Sequence, residues 1–467
     1  MVHRRLALVA VTLRGIDTAL RSPSVNELDD PTYPPGQNCL LLPGFPTLRG
    51  DACSLQDEGW IHGFIKHNEK GQGYFYLAAK AEDRPPETAP TFIQMFGGPG
   101  ISSVGGALTS TAPCYVSESG ESLVTNQYSW TKNANGIWID APGGVGLSDE
   151  LNDDTISEYV QRMTLTIEGI LKRHPYLGKE LYVIGHSFDS SIAILVASQL
   201  MELSLPVKGV YSVDGLNGPA QRCSGYLEVA TRRSLVEDPE IREMKQALES
   251  CRAKLEECQT NWEFDSGACK SIQALWSEVF LNPVKDNFVY DMRTVPAGEC
   301  FFFKFHPGDV EVFLNQKSIR EQLGVSREFK ALNKQVLYKY TQPDTTPALV
   351  SLLDAGLKVL IAVGSEDYIV NTNSTLMWMR TLRGEYNYST VVLQQATTLK
   401  TSRDETVGDV RKDIFDNRAK LAFIEITEAG HMPYMNKPAE MEWLLGAFID
   451  GNLWSGDAGL KQTRPHS

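Results

Sequence analysis

At 467 residues the chain can hold one large domain with insertions or two or three ordinary ones. A hydrophobic share of 42% and a charged share of 22% are those of a folded globular protein, which excludes disorder as the default. The net charge of -14 sets the surface against nucleic acid and anionic membranes, so no nucleic-acid partner is expected.

The basic start Met1–Arg5 and the apolar run Leu6–Leu13 resemble a secretory signal, cut short by Arg14 and lacking an obvious cleavage site. No later run approaches the ~20 apolar residues of a membrane span. Residues 1–44, rich in Pro, Asn and Asp, read as a leader or extended arm. Of the eight cysteines, five fall between Cys223 and Cys300. No Cys-x-x-Cys occurs, which speaks against zinc and thioredoxin chemistry. Such clustering suits disulfides stapling a region with a thin core in an oxidising compartment. Two sequons, at Asn373 and Asn387, permit glycans.

In chain order, Trp60–Ile65 and Gly73–Ala79 read as a hairpin across a turn-rich link. Thr91–Phe96 is a buried-type strand running into Gly97-Gly98-Pro99-Gly100, and Asn135–Asp140 is another. Val160, Met163, Ile167, Ile170 and Leu171 step along one face of a helix closed by Lys172-Arg173-His174-Pro175. Leu181–His186 is a strand, Ser187 a turn, and Phe188–Leu195 the start of an apolar helix. Val207–Val213 is a further strand. From Cys223 to about Cys300 the chain is charged and helix-prone, with a helix expected over Pro239–Glu257. Strand–helix alternation returns after Phe313, with strands at Leu357–Val363 and Leu421–Ile426 and a closing helix at Ala439–Ile449. The tail after Gly451 is polar and reads as loose. Asp149–Asp154 reads as a solvated loop, and Phe301-Phe302-Phe303 as core or pocket wall.

This alternation implies a mainly parallel sheet with helices on both faces, and ligands beyond the strand ends. The strand–turn–helix around Gly185-His186-Ser187-Phe188-Asp189 is the nucleophile elbow of α/β-hydrolases, usually Gly-x-Ser-x-Gly, with Asp189 in place of the second glycine. A serine hydroxyl needs a base to take its proton and a carboxylate to orient that base. Ser187, Asp367 and His431 follow successive strand ends in the α/β-hydrolase order. Gly98 and Phe188 offer backbone amides for an oxyanion hole. The bland readings are a helix N-cap for Asp367, with Glu366 as another carboxylate, a surface histidine for His431, and a plain turn for Gly97–Gly100. His62, His67, His174 and His306 have no partner at metal spacing and read as structural.

Phe96-Gly97-Gly98-Pro99-Gly100-Ile101-Ser102-Ser103 resembles the Asn-Gly-Gly-Pro-Gly-Cys-Ser-Ser loop of serine carboxypeptidases. Ile139–Ser148 is similar to their Asp-Gln-Pro-x-Gly-x-Gly-Phe-Ser segment, and Gly185–Phe188 to Gly-Glu-Ser-Tyr. Gly364–Asn371, Ala429–Pro433 and Val289–Arg293 resemble the family's aspartate loop, histidine loop and a motif late in its cap insertion, and Pro113-Cys114 looks most like fungal members. The likeness runs from about Cys53 to Ile449. It implies an α/β-hydrolase fold with a central mainly parallel sheet and a helical cap insertion. The layout would be a core over 45–221, the cap over 222–310, core again over 311–452, and a tail over 453–467. It also implies disulfides, secretion or delivery to a vacuole, a small-molecule or peptide-like substrate, and neither cofactor nor metal. It assigns nucleophile, carboxylate and base to Ser187, Asp367 and His431, and oxyanion amides to Gly98 and Phe188.

The family binds the substrate's C-terminal carboxylate through three groups, and the matching positions here are Phe96, Ser110 and His186, beside Gly97 and Met432. Phe96 offers no side-chain hydrogen bond, and His186 can hold a carboxylate by charge only when protonated. The glycine loop's usual tryptophan is Gln94, and the histidine loop is one residue shorter, with Met432 abutting Pro433. The expected function is therefore a serine carboxypeptidase-like hydrolase working through an acyl-enzyme, with diverged substrate selection and a more neutral pH optimum. The alternatives are an acyltransferase and a non-catalytic binding protein whose elbow Asp189 has crippled.

Overall fold

The computed structural model describes residues 51–259, 267–284, 289–293, 307–337 and 339–455. Its strands in chain order are β1 (Ala52–Cys53), β2 (Trp60–Lys66), β3 (Gly73–Ala79), β4 (Thr91–Met95), β5 (Cys114–Val116), β6 (Leu123–Thr125) and β7 (Asn135–Ile139). They continue with β8 (Leu181–His186), β9 (Val207–Val213), β10 (Lys358–Gly364), β11 (Thr397–Lys400), β12 (Thr406–Ile414) and β13 (Lys420–Ile426). Ten of them form one sheet in the order β11-β12-β13-β10-β9-β8-β4-β7-β3-β2. The six in the middle, from β13 to β7, pair in parallel; the strands outside them are antiparallel.

The parallel strands are short runs of apolar residues because helices cover both of their faces. Alternate residues divide between two cores. Ile93, Ile137, Val183, Val359 and Ile361 face one way, toward helices α2 (Ile156–Arg173) and α3 (Phe188–Glu202), which come after the short helix α1 (Ser103–Ala107) in the chain. Phe92, Trp138, Tyr182, Tyr211 and Leu360 face the other, toward the C-terminal helix Pro438–Asp450. Helix α2 begins with a capping box in which Thr155 and Glu158 satisfy each other's backbone amides, and ends on Lys172 and Arg173, which oppose its dipole.

Between β9 and β10 lie α4 (Arg222–Arg232), α5 (Asp238–Gln259) and α6 (Gly267–Leu275). Their shared core is small, with Tyr226, Met244, Leu255, Ile272, Trp276 and Phe280 at its centre. Disulfides compensate for its size: Cys223–Cys251 ties α4 to α5, and Cys258–Cys269 ties α5 to α6. Cys53–Cys114 joins β1 to β5 in a separate three-stranded sheet of β1, β6 and β5. Cys39, Cys300, His306, Phe301–Phe303 and the leader fall outside the described residues.

Several expectations need correction. The hairpin β11–β12 carries little apolar pattern because it lies at the sheet edge, and strands of two or three residues in the small sheet leave no periodicity to read. The loop Asp149–Asp154 is not uniformly solvated: Asp153 is buried, pairs with Arg162 and accepts from the Tyr74 hydroxyl and the Gly143 amide. The tail starts docked, with Leu453 and Trp454 buried. Of the two sequons, Asn373 is buried within a helix while Asn387 is exposed. His62 and His67 pack as structural residues, against Phe75 and on the Thr166 hydroxyl.

Candidate active site

The register of the sheet brings the ends of five parallel strands level. Met95 pairs with Gly185, His186 with Val213, Ala362 with Val213, and Gly364 with Ile426. The residues that follow, Gly97, Ser187, Asp214, Asp367 and His431, therefore crowd one edge.

Ser187 occupies a positive-φ conformation (φ 54°, ψ -124°) between β8 and α3. The turn is sharp enough that a Cβ on Gly185 would lie 2.3 Å from the Asp189 carbonyl and 2.4 Å from the Ser190 Cα, so glycine is required there. Close packing of α3 on its strand thus rests on Gly185. The Asp189 side chain turns away, is buried, and accepts from the Tyr159 hydroxyl at 3.3 Å. It does not wedge the elbow open.

His431 Nε2 lies 3.0 Å from Ser187 Oγ, and His431 Nδ1 lies 2.6 Å from Asp367 Oδ2. Asp367 and His431 are buried. Burial lowers the imidazole's pKa to about 3, so at neutral pH it is uncharged. Nδ1 then carries the proton toward Asp367, and Nε2 accepts from the serine hydroxyl. Asp367 also accepts from the Val370 amide. Glu366, the other carboxylate of this loop, pairs instead with Arg233.

Two contributors were given no role at the site from sequence. Asp214, at the end of β9, is buried with Asp367 and His431 in a cluster whose polar atoms lie within 4.8 Å of one another. Burial raises both carboxyls well above the ordinary range; the charge of Asp367 raises Asp214 further, while hydrogen bonds from the Val370 amide and from Asp214 pull Asp367 back down, so Asp214 is the one that keeps its proton and donates it to Asp367. The pair thus holds one negative charge, on Asp367. The other contributor is Val289–Arg293, which bridges the two loops. The Val289 carbonyl accepts from Tyr368 and Ile369, the Tyr290 carbonyl accepts from the His431 amide at 2.7 Å, and Met292 donates to the Glu366 carbonyl. Only the register, or the likeness of Val289–Arg293 to a known motif, points to these residues.

The glycine loop closes over the elbow. A Cβ on Gly97 would stand 2.6 Å from Ser187 Cβ and 2.9 Å from the Phe188 nitrogen. Gly98 follows at φ +114°, and the Phe188 amide, first in α3, has no acceptor within its helix.

The positions matched to the carboxylate-binding groups look inward. Phe96 is buried edge-on against Tyr434 and beside His186. Ser110 spends its hydroxyl on the Gly106 carbonyl. His186 donates from Nε2 to the His431 carbonyl at 2.7 Å and accepts at Nδ1 from Tyr434 at 3.3 Å. Burial, and then the neighbouring His431, hold its pKa well below the usual value. His186 is therefore a neutral strut under the base loop, and the role of a cation for a substrate carboxylate, expected of it when protonated, is closed to it. Met432 is buried, its sulfur 3.3 Å from the Tyr434 hydroxyl oxygen. Gln94 accepts from Thr111 and Trp138.

Among the described residues, Asp214, Asp367 and His431 are also the one trio of His, Cys, Asp or Glu side chains close enough to share an ion. Their hydrogen bonds to each other, to Ser187 and to backbone amides account for the cluster, and we assign it no metal.

Comparison with known proteins follows the same lines. A family profile described as serine carboxypeptidase matches residues 56–451. "Serine carboxypeptidase-like 48" of Arabidopsis thaliana is 26% identical over 429 residues, covering 86% of this chain and 80% of its own. "Carboxypeptidase Y homolog A" of Neurospora crassa is 23% identical, covering 83% and 72% respectively. The crystal structure of a prohormone-processing carboxypeptidase from Saccharomyces cerevisiae superimposes with a TM-score of 0.70 at 19% identity, over 84% of this chain and 91% of that one, which shows the shared fold.

Proposed function

The chain belongs to the serine carboxypeptidase family, and on that premise we propose that it is a triad hydrolase whose substrate selection has moved away from free peptide C-termini. Ser187 Oγ attacks the acyl carbonyl while His431 Nε2 takes its proton. Asp367 holds the imidazole by Nδ1 and balances the imidazolium that forms. The oxyanion faces the amides of Gly98 and Phe188, each worth ~3 kcal/mol where such donors have been removed in other enzymes. His431 returns the proton to the leaving group as the C–O or C–N bond breaks. Water, activated by the same imidazole, then attacks the acyl-enzyme and regenerates Ser187. An alcohol or amine in place of water would make the reaction an acyl transfer through the same intermediate.

One observation carries this reading: Ser187, His431 and Asp367 stand in hydrogen-bonding sequence at 3.0 and 2.6 Å. That spacing speaks against a binding protein with a broken elbow. The diverged selection is supported by the inward, fully engaged side chains at Phe96, Ser110 and His186. A site built around hydrogen bonds to a group discriminates strongly for it, and loses the preference with its partners. The substrate we propose is an ester, amide or peptide-like molecule without a free α-carboxylate at the leaving group. Secretion or vacuolar delivery is the setting that suits three disulfides; no helix among the described residues is long and apolar enough to cross a membrane.

The test is labelling by a fluorophosphonate, followed by a panel of blocked esters, amides and dipeptides. The wild type should label and Ser187→Ala should not, and blocked esters should outrun dipeptides with a free C-terminus. Labelling that survives Ser187→Ala would remove the nucleophile. A clear preference for the free C-terminus would remove the diverged selection.

A further inference from the structure

A cavity of about 20 Å³, large enough for one or two water-sized atoms, lies where two site-bearing loops meet. Leu216, on one wall, donates its amide to the Ser187 carbonyl at 3.0 Å. Ile369 and Val370, on another, lie two and three residues after Asp367 in the chain. Arg222 and Gln342 also line it.

Arg222 is buried, yet no carboxylate among the described residues pairs with it. Its guanidinium lies over the Trp276 ring, with Cζ 4.1 Å from the centroid. It donates from Nε and Nη2 to the Tyr226 hydroxyl and from Nη1 to Gln342 Oε1. All of these acceptors are neutral. Three of the five N–H groups of a guanidinium are thereby used, leaving one on each terminal nitrogen. Gln342 is also buried, and among the described residues its Nε2 has no hydrogen-bond partner. A buried cation beside an unsatisfied amide is costly unless an anion arrives to meet it.

The sheet order sets the side. The glycine loop follows β4, on one flank of β8, while Leu216 and Ile369 follow β9 and β10 on the other. The cavity therefore lies on the opposite side of Ser187 from Phe96 and Gly97. We infer that Arg222 and Gln342 form a subsite for a carboxylate on the acyl portion of the substrate, so that acidic acyl groups, such as glutamyl, are preferred. This rests on the acyl-enzyme reading above and adds to it the chemical class of the acyl group.

The experiment compares N-blocked glutamyl and glutaminyl methyl esters near neutral pH, where the glutamyl carboxylate is ionised. A hydrogen-bonded charge of this kind should raise kcat/KM for the glutamyl ester about 10- to 100-fold over the glutaminyl one. In Arg222→Gln that ratio should fall toward one, and Arg222→Lys should keep part of it. A strut with no ligand would lower stability without moving the ratio. A wild-type ratio of one, or a ratio unchanged in folded Arg222→Gln, overturns the proposal. Should Arg222→Gln not fold, the wild-type ratio and the Arg222→Lys ratio decide. A matching pair with the acid moved to the leaving group tests the side, and a preference appearing only there overturns the acyl assignment. Fluorophosphonate labelling, which involves no carboxylate, keeps the two readings apart: a labelled enzyme with a ratio of one loses only the subsite, whereas an unlabelled one loses the nucleophile.

Discussion

Replacing Asp214 by asparagine probes the buried carboxyl pair directly. The backbone there has φ 42°, a region asparagine tolerates. An asparagine keeps an oxygen for the Gly364 amide, which Asp214 Oδ1 now accepts at 2.8 Å, and puts N–H groups where the acid's proton points at Asp367. The difference is protonation. Burial first, and the charge of Asp367 second, raise the Asp214 carboxyl. A raised carboxyl favours the folded state at low pH and loses that contribution as pH climbs above its unfolded value. Each pH unit above about 3.9 then costs about 1.4 kcal/mol in keeping the proton on. By pH 7 the accumulated cost reaches at most ~4 kcal/mol, which asparagine does not bear. Denaturant unfolding with disulfides intact, at a series of pH values, should show Asp214→Asn level with wild type near pH 4 and increasingly more stable toward pH 7. Asp214→Ala, which strands the Gly364 amide and removes the donor to Asp367, should be less stable than Asp214→Asn throughout and slower in catalysis. A gain that does not grow with pH, or no gain at neutral pH, would refute the protonated acid.

Gly97→Ala should cost on the order of 100-fold in kcat/KM, because its Cβ would come within 2.6 Å of Ser187 Cβ and force the loop or the elbow to move; a rate near wild type in the folded variant would mean the loop stands clear of the reaction. The pH profile follows from His431. Its pKa, lowered to about 3 by burial, leaves the base neutral above that value, so kcat/KM should hold down to about pH 5 and fall only as pH approaches 3. An acid limb near pH 6 or 7, or a maximum confined to strongly acidic buffer, would contradict this. Phe96→Asn combined with His186→Glu should raise hydrolysis of a blocked dipeptide with a free C-terminus; no rise in a folded double variant would undercut the idea that these positions select the leaving group.

The parallel middle of the sheet was legible because each of its strands is apolar on both faces and is bounded by turn residues. Val207–Val213 has the limits read from sequence, as does the antiparallel strand Gly73–Ala79 beside that middle, and α2 buries the residues its periodicity named. The antiparallel edge at β11–β12 was not. In β12, Asp409, Arg411, Lys412 and Asp413 alternate with Val410 and Ile414 in a pattern that fits a charged loop equally well, and only pairing with β13 makes it a strand. Asp153 misled for a related reason. Its neighbours are solvated, but Tyr74 and Gly143, 79 and 10 residues away in sequence, draw its carboxylate inside.

At the site, sequence order and strand ends suffice to bring forward Ser187, Asp367 and His431, since each closes a strand with a distinct local pattern. Asp214 closes a strand just as clearly, but nothing local tells a buried proton-bearing carboxyl from a turn aspartate. The distinction comes from the pairing of Val213 with both His186 and Ala362, which puts Asp214 next to Asp367. His186 runs the other way. By composition it exchanges an acid for a base beside the nucleophile, which suggests a reversal of charge toward the substrate. The fold makes it neutral instead, because its Nε2–H is held by the carbonyl of His431 and burial removes the proton a charge would need. What the glycine-loop flank loses is therefore hydrogen-bonding capacity rather than sign. A buried charge with no ionic partner among the described residues stands across Ser187, at Arg222, and selectivity in this chain should be sought on that flank.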